Sequence, residues 1–202
     1  ESHDRRKREL GDEGEQWALA AVVGQLLRVT ADEREQAIEE ASELFALFEG
    51  SPVDAALSHA ALARSRDIDD EELIDELTGL LHVSRHSDAF GFDLVGWLPL
   101  TLGAAPTAVC LEVKSSSGEG FHLSSSEWSL AQRLHDAGEG DRYAVLVVRR
   151  AKRGGLPSTM DLLVDPVSLF ESGQLRRDVD GYKIAYQVGT DGSVAHTDGS
   201  LS

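Results

Sequence analysis

The spacing of hydrophobic residues divides the chain into a helical first part and a strand-rich second part. Between residues 10 and 81, apolar residues recur mostly at intervals of three and four, which is the period of an amphipathic helix. After about His82 they come in short runs that are typical of β-strands. We therefore predict helices first, followed by a mixed β-sheet that one further helix crosses.

Two of the four helices predicted in the first part are defined by their apolar stripes. The first covers residues 10–29, and Gly11 and Gly14 near its start would let another backbone approach closely. The fourth lies within residues 67–81 and has an acidic outer face, which we interpret as solvated.

Capping signals mark the other two helices. Thr30 and Glu33 form a capping box for a helix that extends to about residue 49. Ser51 is the predicted N-cap of a third helix, with Pro52 at its first position. The first 82 residues are therefore predicted to be mostly helical.

The second part is predicted to hold several strands and one helix. Ser124 and Glu127 have capping-box spacing for a helix over residues 125–137, and Gly138 is its stop signal. The last strand, within residues 182–188, is predicted to form an edge hairpin with 193–197. The other predicted strands lie within residues 90–100, 107–114, 120–124, 142–150 and 160–166.

Length and composition fit a globular protein with one domain or one domain and a subdomain. The chain has 202 residues, of which 41% are hydrophobic, and no apolar run is long enough to cross a bilayer. The single cysteine, Cys110, rules out an intramolecular disulfide and favours a reducing cytoplasm, with no membrane association. The chain begins at Glu1, as a segment of a longer protein would, and residues 1–9 are predicted to be a basic arm or linker.

The net charge of −17 argues against a surface that binds nucleic acid by itself, because phosphate binding depends on Lys and Arg. The acidity lies mainly in the first half. Residues 1–90 carry 22 acidic and 9 basic side chains, a balance of −13, whereas residues 91–202 carry 14 and 10, a balance of −4. A nucleic-acid partner would therefore require a further domain or partner protein.

Two opposite charges at the end of a predicted strand are the main candidate for chemistry. Side chains alternate along a strand, so Glu112 and Lys114 share a face. One explanation is an ion pair at a solvated strand end. The other is a catalytic site, because Asp93 in the preceding strand would lie beside Glu112 if the two strands pair. Two such carboxylates suit Mg²⁺ or Mn²⁺, and Lys114 would offset charge in a phosphoryl transition state.

The pattern Asp93, then Glu112, Val113 and Lys114, resembles the PD-(D/E)xK nuclease superfamily, in which an Asp on one strand precedes Glu-x-Lys on the next. More narrowly, the segments SRHSDAFGFDLVGW, CLEVKSSSGEGFHLSSSEWSLAQRL and DRYAVLVVRR resemble the NO VEIN carboxy-terminal domain group, found in bacterial proteins of restriction and phage defence. The resemblance covers roughly residues 83–150, with a weaker match at GDEGEQWALA.

The resemblance implies an α/β, restriction-endonuclease-like mixed β-sheet flanked by helices, with an acidic helical N-terminal half. The nuclease core would comprise residues 83–190 and the first helix of the 10–82 helical part. Residues from about 30 to 80 would then be an insertion, and residues 191–202 a tail or part of the edge hairpin.

The superfamily often adds a glutamate from its first helix, and Glu15 lies in line with the apolar stripe of the predicted first helix. Asp93, Glu112 and Glu15 would then be metal ligands, with Lys114 as their catalytic companion. A position at the rim of the helix or a salt bridge is the alternative explanation for Glu15.

Other residues are weaker candidates. Glu127 is explained by a helix cap better than by metal ligation, although it lies near the predicted site. Several side chains are candidates for contacts with nucleic acid, although a mobile loop or simple solvation accounts for their presence equally well. These are Ser115, Ser116, His122, Arg149 and Arg150.

The function expected from these features is metal-dependent phosphodiester hydrolysis, with DNA as the expected substrate, in a module of a bacterial defence protein. Two alternatives stay open. One is a module of the same fold that recognises nucleic acid or protein without cutting. The other makes the acidic helices a docking surface with the sheet as scaffold.

Overall fold

The computed structural model describes residues 2–46, 70–86, 90–98, 106–116, 120–150, 157–177 and 183–186. These form a mixed α/β architecture in which helices flank a four-stranded sheet. The helices are α1 Ser2–Leu26, α2 Ala31–Ala46, α3 Asp70–Leu81, α4 Ser125–Asp136 and α5 Pro166–Glu171. The strands are β1 Leu94–Leu98, β2 Thr107–Ser116, β3 Gly120–His122, β4 Tyr143–Arg150, β5 Pro157–Val164, β6 Leu175–Arg177 and β7 Lys183–Tyr186.

The main sheet has the strand order β1-β2-β4-β5. Strand β2 runs antiparallel to β1 and parallel to β4, while β4 and β5 are antiparallel, so the sheet is mixed as predicted. The predicted pairing of strands near 91–97 and 107–114 is confirmed by the register Leu94↔Leu111. Strand β4 is buried along almost its whole length, which explains its unbroken run of apolar residues.

A second sheet has the order β3-β7-β6. The prediction for β7 was a hairpin with residues 193–197, which lie outside the described residues. In the structure β7 instead pairs antiparallel with β3 and with β6. Sequence period alone does not identify partners of such short strands, because strands of three or four residues carry too little pattern to specify one.

One hydrophobic core joins the helices to the main sheet. Helix α1 packs against β1, β2 and β4, and α2 packs against β2. Helix α4 adds the buried side chains of Leu130, Ala131 and Leu134 to this core. Cys110 is buried in β2, and burial raises the pKa of its thiol to about 12, so it behaves as a small hydrophobic residue. No helix among the described residues is both long and apolar enough to cross a membrane.

Two predicted capping boxes are present. The Thr30 hydroxyl accepts from the backbone N–H of Glu33, whose carboxylate accepts from Thr30 N at 2.8 Å. Ser124 and Glu127 make the same reciprocal pair at the start of α4. The helix predicted from Ser51 lies outside the described residues.

Some boundaries and elements differ from the prediction. Helix α1 begins at Ser2, so residues 2–9, predicted as an arm or linker, are helical. The apolar stripe that marks a helix starts later than the helix because the first two turns are polar. Helix α5 and strand β6 were not predicted. Asp165, which has a left-handed backbone with φ of 47°, accepts a hydrogen bond from Ser168 N and caps the six-residue α5.

Candidate active site

Strands β1 and β2 bring the carboxyl groups of Asp93 and Glu112 together. Asp93 lies immediately before β1, and the antiparallel register places it beside Glu112 on β2. Its backbone N–H donates to Leu111 O at 3.1 Å, and one of its carboxylate oxygens accepts from the N–H of Val113 at 2.8 Å. The charge of Asp93 raises the pKa of Glu112, as expected of two carboxyl groups placed side by side. The predicted meeting of these two residues is therefore observed.

The Lys114 ammonium lies between two carboxyl groups. Its Nζ is 2.5 Å from Glu112 Oε1 and 3.0 Å from Glu127 Oε2. The ion pair that was the simpler explanation for the Glu-x-Lys sequence is thus real, but it is buried rather than solvated, since Glu112 is only 3% exposed. Glu127 has two functions, because it also completes the capping box of α4.

Helix α1 contributes Glu15 from the other side of the site. Its Oε2 lies 3.2 Å from His82 Nε2 and accepts from the Ser84 hydroxyl at 2.9 Å. These bonds lower the pKa of Glu15, with the His82 contact as the largest cause. The negative charge of Glu15 acts on Asp93, and the positive charge of Lys114 acts on Glu15. Glu15 therefore lies near Asp93 and Lys114, as the half-buried partner of the buried His82.

Burial and crowding change how the two strand carboxyls ionise. Desolvation, together with the charge of Glu15, raises the pKa of Asp93 to about 6. Desolvation and the charge of Asp93 raise the pKa of Glu112 to about 9, although Lys114 opposes this change. Burial alone would lower the pKa of Lys114, but Glu112 and Glu127 raise it above its ordinary value. These raised pKa values favour a proton on the Asp93 and Glu112 pair near neutral pH, next to an ammonium group.

An open cavity of about 380 Å³ adjoins these groups and is lined by polar side chains. Its wall includes Glu15 and Asp93, together with Arg85, which is exposed. Arg85 is the one lysine or arginine among the lining residues that the structure describes. A ligand with negative charge that entered this cavity would meet this guanidinium together with the carboxyl groups of Glu15 and Asp93.

The oxygen donors of Asp93, Glu112 and Glu15 suit a hard divalent cation such as Mg²⁺ or Mn²⁺. Within the described parts of the chain, no group of three or more His, Cys, Asp or Glu side chains is arranged to hold a metal ion. In the structure the Lys114 ammonium pairs with Glu112, and the raised pKa values of Asp93 and Glu112 favour their protonated forms. The oxygen donors of this set fit a hard cation, whose binding would release protons from these groups.

The side chains predicted to contact nucleic acid mostly have partners within the chain. Ser115 Oγ donates to Leu10 O at 3.0 Å, and Ser116 Oγ donates to Gly120 O at 2.8 Å. Arg149 pairs with Asp161, and Arg150 Nη1 lies 3.0 Å from Glu13 Oε2. His122 on β3 is exposed.

Sequence reasoning missed His82 and Ser84 as parts of the site. They lie just after α3 and face the site only because their segment runs alongside β1, where His82 forms an isolated β-bridge with Leu94. Their spacing matches no metal-binding motif. The signal that exists is the position of Ser84 in the segment that resembles the NO VEIN group.

Comparison of the chain with protein-family models, with curated proteins and with solved structures finds no significant match.

Proposed function

We propose that this chain is a metal-dependent phosphodiesterase with a restriction-endonuclease-like fold that cuts DNA as a module of a bacterial defence protein. The observation that carries the proposal is the convergence of Asp93, Glu112 and Lys114 in one cluster. A structural ion pair at a strand end does not require a second buried carboxyl group beside the first. The buried pair is costly to maintain, since its carboxyl groups resist ionisation.

Each residue has a role in hydrolysis. Water attacks phosphorus, the bond to the leaving oxygen breaks, and one product end keeps the phosphate while the other becomes a hydroxyl. Lys114, whose ammonium pairs with Glu112, would offset negative charge on the phosphoryl group in the transition state. Asp93, Glu112 and Glu15 would hold Mg²⁺ or Mn²⁺, which when bound polarises the phosphate and lowers the pKa of the attacking water. Arg85, in the cavity wall, would bind a substrate phosphate.

Positioning of Lys114 supports the same proposal. A flexible lysine pays rotamer entropy to act as an electrostatic group, and the contacts with Glu112 and Glu127 fix its ammonium in advance. Glu127 reaches Lys114 because the capping box fixes the first turn of α4 beside β2.

The alternative is a module of the same fold that binds nucleic acid or protein without cutting. The protein-binding form of this alternative is favoured by the internal partners of Arg149 and Arg150, because these two guanidinium groups bind carboxylates of the chain rather than a phosphate backbone. The two functions can be distinguished, because cleavage requires an ionisable side chain at Glu112 and recognition without cleavage does not.

The test is cleavage of double- and single-stranded DNA and RNA in Mg²⁺ or Mn²⁺ by the wild type and by Glu112→Gln. This isosteric variant keeps an oxygen near Lys114 and removes the negative charge. We expect metal-dependent cleavage of DNA by the wild type and loss of activity in Glu112→Gln, with an unchanged circular dichroism spectrum. Glu39→Gln, which changes an exposed carboxylate on α2, is the matched control and should retain full activity. Equal activity in wild type and Glu112→Gln would reject the site.

A further inference from the structure

A short segment after α3 connects the two acidic sides of the site. The backbone N–H of Ser84 donates to Asp93 O at 3.0 Å, and His82 pairs with Leu94 in the isolated bridge. The same two residues contact Glu15 through their side chains. The segment His82–Ser84 is therefore tied to the strand that carries Asp93 and to the helix that carries Glu15.

Both side-chain contacts are made to the same oxygen of Glu15. A carboxylate oxygen has two lone pairs, and Oε2 receives one donor from the Ser84 hydroxyl and one from the His82 ring. Since a carboxylate oxygen only accepts, His82 donates from Nε2–H. The two donors fill Oε2, so the acceptor capacity that remains for a ligand belongs to Oε1. Glu15 lines the cavity together with Asp93.

The stability of the fold does not by itself explain a histidine at position 82. The residue is 5% exposed, and its Nδ1 is buried without a hydrogen-bond partner in the structure. An unpaired buried polar atom costs free energy that an apolar side chain of similar size would not incur. The bond to Glu15 is the contact that an apolar residue would lose. This combination is typical of residues kept for a site rather than for the core.

We propose that His82 and Ser84 are positioning residues that hold Glu15 by its Oε2 and present Oε1 to the cavity shared with Asp93, where a divalent cation binds. The inference rests on the proposed function, since it assigns these residues to the same metal site. It adds a supporting pair of residues to that site. Supporting hydrogen bonds to metal ligands commonly change metal affinity by about 10- to 100-fold.

The test measures Mn²⁺ binding by electron paramagnetic resonance and by calorimetry, without substrate. The variants are His82→Leu and Ser84→Ala, which remove one donor each, and His82→Gln and Ser84→Thr, which keep a donor. We expect the dissociation constant for Mn²⁺ to rise about 10- to 100-fold in the first two. The two conservative variants should restore most of the affinity. The melting temperature of His82→Leu without metal should equal or exceed that of the wild type, because the unpaired Nδ1 is gone.

A matched control is His86→Gln, since His86 Nε2 bonds Gly79 O and not Glu15. Its Mn²⁺ affinity should not change. If His82→Leu and Ser84→Ala fold and bind Mn²⁺ like the wild type, the positioning proposal is overturned. If His82→Leu fails to fold, Ser84→Ala alone decides.

The same measurement separates this proposal from the proposed function. Asp93→Asn and Glu112→Gln that bind Mn²⁺ as tightly as the wild type would reject the metal site as a whole. Loss of binding in those variants with unchanged binding in the His82 and Ser84 variants would reject only the positioning pair. A wild type that binds no Mn²⁺ would reject both.

Discussion

Lys114 is held between Glu112 and Glu127, and its removal would leave two partly buried carboxyls without their cation. The place of Lys114 at the end of a strand predicts an exposed ammonium, and Lys114→Ala would then leave the fold nearly intact. The Lys114 side chain is 20% exposed, so we now expect a loss of about 1–3 kcal/mol of unfolding free energy. Cleavage should fall by about 10² or more, through loss of one electrostatic group.

Lys114→Met provides the comparison, because it keeps the aliphatic stem and removes the charge. It should lose as much activity as Lys114→Ala and less stability. Chemical denaturation and single-turnover cleavage on the same preparations measure both quantities. Full activity in a folded Lys114→Met protein would refute the catalytic role of the ammonium.

Glu127 caps α4 and also pairs with Lys114, and two substitutions separate these functions. Gln preserves a capping box, whereas Ala does not. Glu127→Ala should lose about 1 kcal/mol of stability from the cap, and Glu127→Gln clearly less. Both should reduce cleavage by about tenfold, because Lys114 loses its second anionic partner. Thermal unfolding and cleavage rates would show whether stability and activity separate in this way; wild-type activity in Glu127→Gln would limit Glu127 to capping.

The buried acid pair makes stability depend on pH in an unusual direction. The folded-state pKa of Asp93 is about 6 against an ordinary 3.8, and that of Glu112 is about 9 against 4.5. The folded state therefore binds more protons than the unfolded state, so stability falls as pH rises. The decline for Asp93 runs from about pH 4 to 6 and amounts to roughly 3 kcal/mol. The decline for Glu112 continues to about pH 9.

Urea unfolding in EDTA at pH 5, 7 and 9 measures this decline. The Asp93→Asn, Glu112→Gln double variant is the reference and should show a flatter profile. Mn²⁺ should restore stability most strongly at high pH, because the cation replaces the shared proton. Parallel profiles for wild type and variant would mean that the pair does not hold a proton.

The sequence could predict Glu112 and Lys114 on one face and Asp93 beside them, because strand alternation and antiparallel pairing are local rules. It could not predict that Glu127 would pair with Lys114, since this depends on how α4 crosses the sheet. The contact of His82 with Glu15 could not be predicted from the sequence either. This contact joins residues 67 positions apart.

At the scale of elements, the packing of α1 on β2 places Glu15. A Cβ added at Gly14 would lie 2.3 Å from Ser115 Oγ and 3.6 Å from Ser115 Cβ. The predicted close approach is observed at Gly14, but with a side chain of β2 rather than with another backbone. The prediction fails at Gly11, where a Cβ would meet nothing within 4 Å. The sequence indicated two glycines at which a neighbouring element could approach closely. It did not indicate which of them faces the sheet, because both lie before the clear apolar stripe.

Gly14→Ala should cost about 1–3 kcal/mol of unfolding free energy, because the added methyl overlaps a packed hydroxyl. Ser115→Ala removes that hydroxyl and its bond to Leu10 O, at about 1 kcal/mol. The double variant should be more stable than the sum of the two changes predicts, since the overlap is gone. Gly11→Ala is the control and should be neutral or stabilising by up to about 1 kcal/mol. Additive costs in the double-mutant cycle would show that Gly14 does not contact Ser115.

Helix caps and the long strands were the most predictable elements, because each depends on a few neighbouring residues or on an unbroken apolar run. The second sheet was the least predictable. Its strands have three or four residues, and β3 pairs with β7 at Phe121↔Ile184, across a sequence separation that no local signal encodes, whereas β6 and β7 are consecutive strands. The predicted partner of β7, residues 193–197, lies outside the described residues, and the observed partners β3 and β6 were not predicted. In the main sheet, the pairing that the sequence predicted is that of β1 with β2.

At the scale of the whole molecule, the net charge of −17 opposes binding of a phosphate backbone. Arg149 and Arg150 do not offset this charge at a binding surface, because they are paired internally with Asp161 and Glu13. Arg85 differs from these two, because it is exposed in the wall of the cavity beside Asp93. Binding of DNA by the isolated chain should therefore be weak and should depend on very few phosphate contacts.

We expect a dissociation constant for DNA of about 10⁻⁴ to 10⁻⁶ M at physiological salt, with a binding constant that falls as salt rises. Arg85→Gln should weaken binding and reduce the slope of log K against log salt by about 1, as loss of one phosphate contact requires. Arg28→Gln, which removes an exposed arginine just beyond the far end of α1, should change neither. Fluorescence anisotropy with the Glu112→Gln variant, in which cleavage is blocked, gives these slopes. Tight binding that is insensitive to salt would show that a surface other than this cavity holds the nucleic acid, and an unchanged slope in Arg85→Gln would remove Arg85 from the contact.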